Sequence, residues 1–451
     1  MKHQVLPGAA VAILMLGGCA VPNQEMAFET VQKQTDRSLV WIKTPRDAQI
    51  VAEKVDLLLA TPLNGENAVR IALINNRELQ RVYEEIGVAH ADLVQAGMMS
   101  NPVLGYSFGH GGGVNTKTVS LEVALLDLLW IPLKRELGGI ALEEAKLRVG
   151  DEVLKTVRET SVAFARARAS EEISRLHDTL VTSYETSLQL AYRQYTAGNL
   201  SKRELLKIEE GYARTRLNAL DARRMAAEER ETLNTLLGVY GDSTRYRFAQ
   251  GSDILEPPPS TSEGLERIAI ANRLDIAAAK KRFEYAAREA GIVDATRLLE
   301  EISLEYESEK SSGEARFNTL GAKIPLPLFD MGQARSALAA ARYNESAHAL
   351  YALSVSVRSD VRRSSAVVRY RYDAAREYRE NIIRIHEEIL AQTGLYYNGM
   401  LEGIYELLED QRRLTEAKIA SIEALFEYEK AVADLAYAAA IPLGEKRDET
   451  R

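Results

Sequence analysis

Apolar residues recur every three or four positions over most of this chain and switch to strict alternation in short runs, a change of period that predicts long helices interrupted by pairs of strands. Leu176, Leu180, Tyr184, Leu188, Tyr192 and Tyr195 keep the helical spacing, as do Val149, Val153 and Val157. By contrast Val119, Leu121, Val123 and Leu125 alternate with Ser120, Glu122 and Ala124, and Ile302, Leu304 and Tyr306 alternate with Ser303, Glu305 and Glu307. Gly and Pro mark the ends. The expected elements are a helix over 62–96, strands over 103–109 and 116–126, a long helix over 133–196 and a returning helix over 201–237. The program then repeats, with a helix over 262–299, strands over 302–308 and 316–326, a helix over 332–397 and a final helix. In the second long helix Tyr372, Ala375, Tyr378, Ile382, Ile385, Ile389, Gln392 and Tyr396 keep a heptad rhythm, which places them along one seam.

The repetition reaches the residues themselves, at an offset of about 200 positions. Arg70-Ile-Ala-Leu-Ile-Asn-Asn-Arg-Glu-Leu79 returns as Arg267-Ile-Ala-Ile-Ala-Asn-Arg-Leu-Asp-Ile276, and Tyr195-Thr-Ala-Gly198 returns as Tyr396-Tyr-Asn-Gly399. No proline lies between Pro132 and Pro257 or between Pro327 and Pro442, so each half carries a long helix-compatible tract. The organisation read from this is a signal segment over 1–18, a lead-in over 19–61, a first repeat over 62–240, a linker over 241–261, a second repeat over 262–444 and a polar tail over 445–451. In each half the two shorter helices add up to about the length of the long one, roughly 95 Å at 1.5 Å per residue, so that stacked end to end they match it.

The N-terminus changes the picture of where this happens. Lys2 and His3 precede an apolar run, too short to span a bilayer, that ends in Leu16-Gly-Gly-Cys19. This resembles a bacterial lipobox, which makes Cys19 the expected site of a covalent lipid. Cys19 is the single cysteine, so disulfides within the chain and thiolate metal sites are excluded. A formal charge of −8, with no basic stripe interleaved with aromatics, argues against nucleic acid as a partner.

Strands of about ten residues suit a tilted membrane crossing, but four of them cannot close on themselves in lipid. Closure must be shared between chains, and both two copies (eight strands) and three (twelve) satisfy the requirement. Glu305, Glu307 and Lys323 alternate with apolar neighbours, the pattern of strand residues facing a water-filled lumen.

With these features on the page the chain resembles the TolC-type outer membrane efflux proteins, in a lipoprotein form, over residues 62–444. The residues that carry the likeness are Asn75-Asn-Arg-Glu-Leu79, Gln95-Ala-Gly97, Asn101-Pro102, Leu328-Phe-Asp-Met-Gly332, Tyr396-Tyr-Asn-Gly399 and Glu406-Leu-Leu-Glu-Asp-Gln411. The resemblance implies a mainly α fold with a small β part: a homotrimer whose strands form a twelve-stranded outer membrane barrel continuing into a helical periplasmic tunnel. It implies a passive duct for efflux, partnered by a periplasmic adaptor and an inner-membrane transporter. The family narrows its tunnel tip with acidic residues after the turn. Glu406 and Glu409 match that spacing after a one-residue insertion past Gly399, with Glu204 and Lys207 as first-repeat equivalents, Gly198 and Gly399 as tip turns, and Tyr396 and Tyr405 as gate hydrogen bonders or packing residues. The family's arginine near the turn is replaced by Met400 and Leu401, so a lock would draw on Lys202, Arg203 or Lys207.

No catalytic chemistry competes with this reading. His386-Glu-Glu lacks the second histidine of a zinc helix, and the glycines before Lys117 lead into a strand where a phosphate loop opens a helix. No enzyme, cofactor or metal site is expected. The alternative from another class is a lipid-anchored periplasmic coiled-coil scaffold or adaptor without a pore, which accounts for the lipobox and the helices but not for the strand pairs.

Overall fold

A computed structural model describes residues 24–124, 126–249, 255, 257, 264–297 and 302–441. Cys19 and the lipobox, about half of the linker and the C-terminal tail lie outside the described residues. The elements in order are α1 (Gln24–Thr35), α2 (Pro45–Leu59), α3 (Gly65–Asn75), α4 (Arg77–Ala96), β1 (Val103–Gly111), β2 (Val114–Ala124), α5 (Asp127–Thr196) and α6 (Lys202–Leu237). A short 3-10 turn (Gly241–Thr244) follows, then α7 (Leu265–Asn272), α8 (Leu274–Thr296), β3 (Ser303–Ser311), β4 (Phe317–Lys323), α9 (Gln333–Glu377), α10 (Ile383–Asn398) and α11 (Ile404–Ala439). No described helix is long and apolar enough to cross a membrane.

The chain divides into two compact units. One holds the described residues within 1–33, 84–147 and 278–348, and its centre is an antiparallel sheet of order β1-β2-β3-β4. The strand pairs of the two repeats join through β2 and β3, with Leu121 opposite Tyr306 and Glu122 opposite Glu305. Both tight turns lie at one end of this sheet and hold each other: Ser312 N–H donates to the Asn115 carbonyl at 3.0 Å, and Asn115 N–H to the Ser312 hydroxyl at 3.1 Å.

The second unit, from described residues within 34–83, 148–277 and 349–451, is helical and packs one apolar core for each repeat. Val51, Ile71, Phe164, Leu233 and Leu237 centre the first, and Leu265, Ile276, Val357, Val361 and Leu435 the second.

Four expectations are corrected here. The first concerns the helices expected over 62–96 and 262–299, which break at Asn76 and Arg273. Asn76 Oδ1 accepts from the N–H groups of Glu78 (2.8 Å) and Leu79 (3.1 Å), which starts α4, while its Nδ2 donates to the Leu236 carbonyl. Asn75 Nδ2 donates to the carbonyls of Leu237 and Gly238, ending α6. The Asn75-Asn76 opening is therefore a clasp between two helix ends. In the second repeat Arg273 keeps only the reach to the other helix end, donating to the Ala438 carbonyl at 3.3 Å while pairing with Asp275 at 2.6 Å, and it is Asp275 that accepts from the Ile276 N–H.

A second correction moves the start of α5 to Asp127, six residues earlier than expected, with Pro132 inside the helix. Pro132 sits early in α5, where its ring removes the bond to the Leu128 carbonyl and crowds it, a local cost of about 3 kcal/mol that the 70-residue helix absorbs.

The third is a π turn, Tyr378–Ile382, between α9 and α10. A π turn admits one extra residue and rotates everything after it. Ala375 before it is buried as the heptad rhythm predicts, but beyond it the buried residue is Thr393 in place of Gln392, and Tyr397, not Tyr396, packs inward. Strand ends also move: β4 stops at Lys323, leaving Ile324, Leu326 and Leu328 exposed beyond it.

Candidate functional site

Two sets of expected site residues belong to different units. In the helical unit, Gly198 ends the turn after α5 in the left-handed region at φ 78°, with its N–H on the Tyr195 carbonyl and that of Asn199 on the Gln194 carbonyl. The turn after α10 has the same two bonds, from Met400 to Tyr397 and from Leu401 to Tyr396. Met400, at φ 56°, thus occupies the place of Gly198, while Gly399 is at φ −80°. This corrects the alignment of Gly399 with Gly198. Tyr195 pairs with Tyr397, the extra residue precedes the turn, and the π turn is where it is absorbed. From the turns onward the repeats run in one register, through Glu204 with Glu406 to the left-handed Gly238 and Ala440.

The charged residues at these turns are used differently. Glu204 is a capping residue: its carboxylate accepts from Ser201 N–H (2.9 Å) and hydroxyl (2.7 Å), while Ser201 Oγ accepts from Glu204 N–H. These bonds to Ser201 hold its carboxyl below the ordinary range. Glu406 is exposed, and it has no ion pair among the described residues. Glu409 is chelated by Arg412 through Nε (3.0 Å) and Nη2 (2.5 Å), with Arg413 Nε at 3.4 Å, and the Arg412 bond keeps its carboxyl low. Lys207 lies over the Tyr405 ring at 4.6 Å, and Lys202 over Tyr195 at 5.4 Å. Tyr405 and Tyr397 pack against the cluster of Leu180, Tyr184, Leu205, Ile208, Ile404 and Leu408, whereas Tyr396 is largely exposed.

Arg412 and Arg413 are the residues that sequence reasoning missed. Their signal was present as Glu-x-x-Arg-Arg, which places both cations on the face of the preceding acid. Tyr192 is a second omission; its hydroxyl donates to Glu209 Oε1 at 2.5 Å, and that bond raises its pKa.

In the sheet unit the register puts Glu305, Glu307 and Lys323 on one face. Lys323 Nζ lies 3.2 Å from both Glu122 and Glu305, and Ser303 donates to Glu122 at 2.6 Å. Glu122 is thus a member of the set that the alternation displayed but that was not singled out. A cavity beside these residues is lined by Glu122, Ser303, Lys323, Trp130, Lys134 and Arg335. The opposite face is a different surface, with Leu104, Leu121, Tyr306 and Leu320 forming one row across all four strands, each exposed. Among the described residues no group of three or more His, Cys, Asp or Glu is placed to hold a metal ion.

Comparison with known proteins agrees with this geometry. Residues 265–440 match the family model described as outer membrane efflux protein. No curated protein sequence matches the chain. Among solved structures, the chain is similar in fold to the Campylobacter jejuni CmeC outer membrane channel (14% identity, 85% of this chain and 87% of that one, TM-score 0.72). It is similar also to the outer membrane protein VceC of Vibrio cholerae (15% identity, 83% and 95%, TM-score 0.67) and to the Neisseria gonorrhoeae MtrE outer membrane channel in its open state (19% identity, 84% and 89%, TM-score 0.66).

Proposed function

We infer, from the match of residues 265–440 to the outer membrane efflux protein model, that this chain is a member of that family and the outer membrane channel of a tripartite efflux system, a passive duct that works as a homotrimer with an adaptor and an inner-membrane transporter. The observation that carries the reading is the sheet. Its outward row, Leu104, Leu121, Tyr306 and Leu320, is as exposed as 75% at Leu320, and its outer strands β1 and β4 each have one unpaired edge. Exposed apolar area of this kind marks contact with lipid or another chain. Open edges are not tolerated in hydrocarbon, because each unpaired N–H or carbonyl costs several kcal/mol. A β1 edge meeting the β4 edge of a neighbouring copy removes both, and three copies make a closed barrel of twelve strands. Glu122, Glu305, Glu307 and Lys323 then line the lumen, where water solvates them. A coiled-coil scaffold has no use for an apolar sheet face and two free edges.

In the helical unit, three copies of the two turns around one axis would form the periplasmic entrance, with Glu406 as its uncompensated charge and Gly198 and Met400 as its turns. Lipidation of Cys19 adds an anchor to a protein the barrel already holds in the membrane.

The test is heat-modifiable migration in mild SDS of protein taken from the outer membrane fraction. A closed barrel gives a resistant oligomer, and a scaffold gives none. Leu104→Arg or Leu121→Arg should weaken assembly by about 2–4 kcal/mol per site near the bilayer midplane. Glu307→Arg, on the opposite face beside Ser120 and Thr319, should be tolerated. Equal tolerance on both faces would remove the barrel.

A further inference from the structure

The two faces of the sheet divide their carboxylates completely. The carboxylates of Glu122, Glu305, Glu307 and Glu309 all fall on the face that carries Lys323, whereas the apolar face has no carboxylate on any strand. That apolar face nevertheless carries two cations, Lys117 on β2 and Lys310 on β3, and they lie directly opposite each other in the register. Both are exposed, and neither has an ion pair among the described residues. Their same-face neighbours are Phe108, Val119, Ser308 and Asn115, none of which is a counter-charge.

Like charges placed directly opposite across a strand pair oppose sheet formation. Here the pairing is kept without an internal anion to offset it. Opposed residues stand about 4.5–5.5 Å apart at Cα, so two flexible ammonium groups can converge on one tetrahedral anion. Height along the strand indicates what the anion belongs to. Lys117 lies four residues beyond Leu121 and Lys310 four beyond Tyr306, toward the tight turns and away from the helical connections. With that row taken as the bilayer midplane, four residues at about 3.4 Å each and a tilt near 40° raise the pair by roughly 10 Å, close to half the height of a barrel's apolar band. Exposed Phe108 lies opposite Lys117 at this level, with exposed Tyr106 one same-face step further from the turns, an aromatic pair of the kind that girdles place where the barrel meets headgroups.

We propose that Lys117 and Lys310 together form a docking site for the phosphate of an anionic glycolipid in the outer leaflet, repeated once per protomer around the rim of the barrel. This rests on the barrel reading above, which supplies the orientation of the sheet. The bound phosphate offsets the like-charge pair, so the lipid acts as a structural ligand of the β2–β3 junction between the two repeats.

The experiment uses the full-length protein reconstituted in phosphatidylcholine vesicles containing either diphosphorylated lipid A or the same glycolipid without its phosphates. Retained lipid is measured by native mass spectrometry, and the SDS-resistant oligomer is followed on heating. Wild type should retain the phosphorylated form in preference, by about fivefold for each lysine and roughly thirtyfold for the pair. K117Q/K310Q should lose the preference and K117R/K310R should keep it. Equal retention of both glycolipids by wild type, or an undiminished preference in K117Q/K310Q, would overturn the assignment. So would equal stabilisation by inorganic phosphate in lipid A-free vesicles, which would identify a free anion as the ligand. Should the glutamine variant not assemble, the wild-type comparison and the arginine variant still decide. Wild type that forms no heat-resistant oligomer in any vesicle would instead sink the barrel reading itself.

Discussion

The turn between α5 and α6 and the turn between α10 and α11 close the same way and are stabilised in different ways. Both end on the same pair of backbone bonds, yet the first places Gly198 at the left-handed position and the second Met400. Downstream, the first begins its helix with a complete capping box from Ser201 and Glu204; the second begins at Gly403, which has no side chain to cap with. The duplicated glutamates diverge as a result: Glu204 is committed to its own helix, while Glu406 is left for other uses. Duplication preserved backbone geometry, and the roles of equivalent side chains separated within it. At the tip the second turn therefore carries backbone strain and an uncompensated charge, and the first carries neither.

The largest effect that would test this contrast lies in the shared core beneath the turns. Leu205 is fully buried while adjacent Leu206 is half-exposed, so Leu205→Ala should cost about 2–5 kcal/mol in thermal unfolding followed by helix circular dichroism, and Leu206→Ala under about 0.5 kcal/mol. Comparable losses would mean that the helix α6 faces a different neighbour in the assembled protein.

Next comes the backbone. Gly198→Ala meets open space but must adopt a positive φ, which should cost about 1–2 kcal/mol. Met400→Gly should act in the opposite sense: relief of the left-handed backbone, about 1–2 kcal/mol, outweighs the roughly 0.4–1 kcal/mol that a glycine costs by loosening the unfolded chain, and a destabilised Met400→Gly would show that the Met side chain holds the turn.

Charge gives a third separation. In planar bilayers Glu406→Gln should weaken periplasmic block by multivalent cations about tenfold, since the proposed trimer brings three like charges around one axis and makes a strong local potential there. Glu409→Gln should change it far less, because Arg412 and Arg413 already neutralise that acid. Equal effects would place Glu409 in the lumen with its ion pairs broken.

The smallest effects concern the cap. Ser201→Ala should cost about 1 kcal/mol, and Gly403→Ser, which recreates Ser-x-x-Glu with Glu406, should gain only a few tenths. The acid limb has a definite sign. Glu204 and Glu409 have carboxyls held below the ordinary carboxylate range in the folded chain, so each contributes stability that is complete above the unfolded value and is lost as pH falls through the lower folded one. Glu204→Gln should flatten this limb in a thermal-melt pH series; an unchanged limb would assign acid sensitivity to other carboxylates.

The sequence by itself determined the element order, the duplication and the two-faced strands, because these depend on local periodicity and on Gly and Pro, which act within a few residues. It also placed Glu305, Glu307 and Lys323 on one face, since strand alternation needs no tertiary information. Only the tertiary structure decided the register of the second long helix. One extra residue in a π turn leaves the apolar pattern nearly intact but rotates Tyr396 out and Tyr397 in. Likewise the Asn75-Asn76 clasp became visible only once Leu236 to Gly238 were brought to it from some 160 positions away. The opposition of Lys117 and Lys310 has the same origin: each lies in an ordinary alternating strand, and only the pairing of β2 with β3 brings the two charges together, because register between distant segments is set by packing that no local pattern encodes.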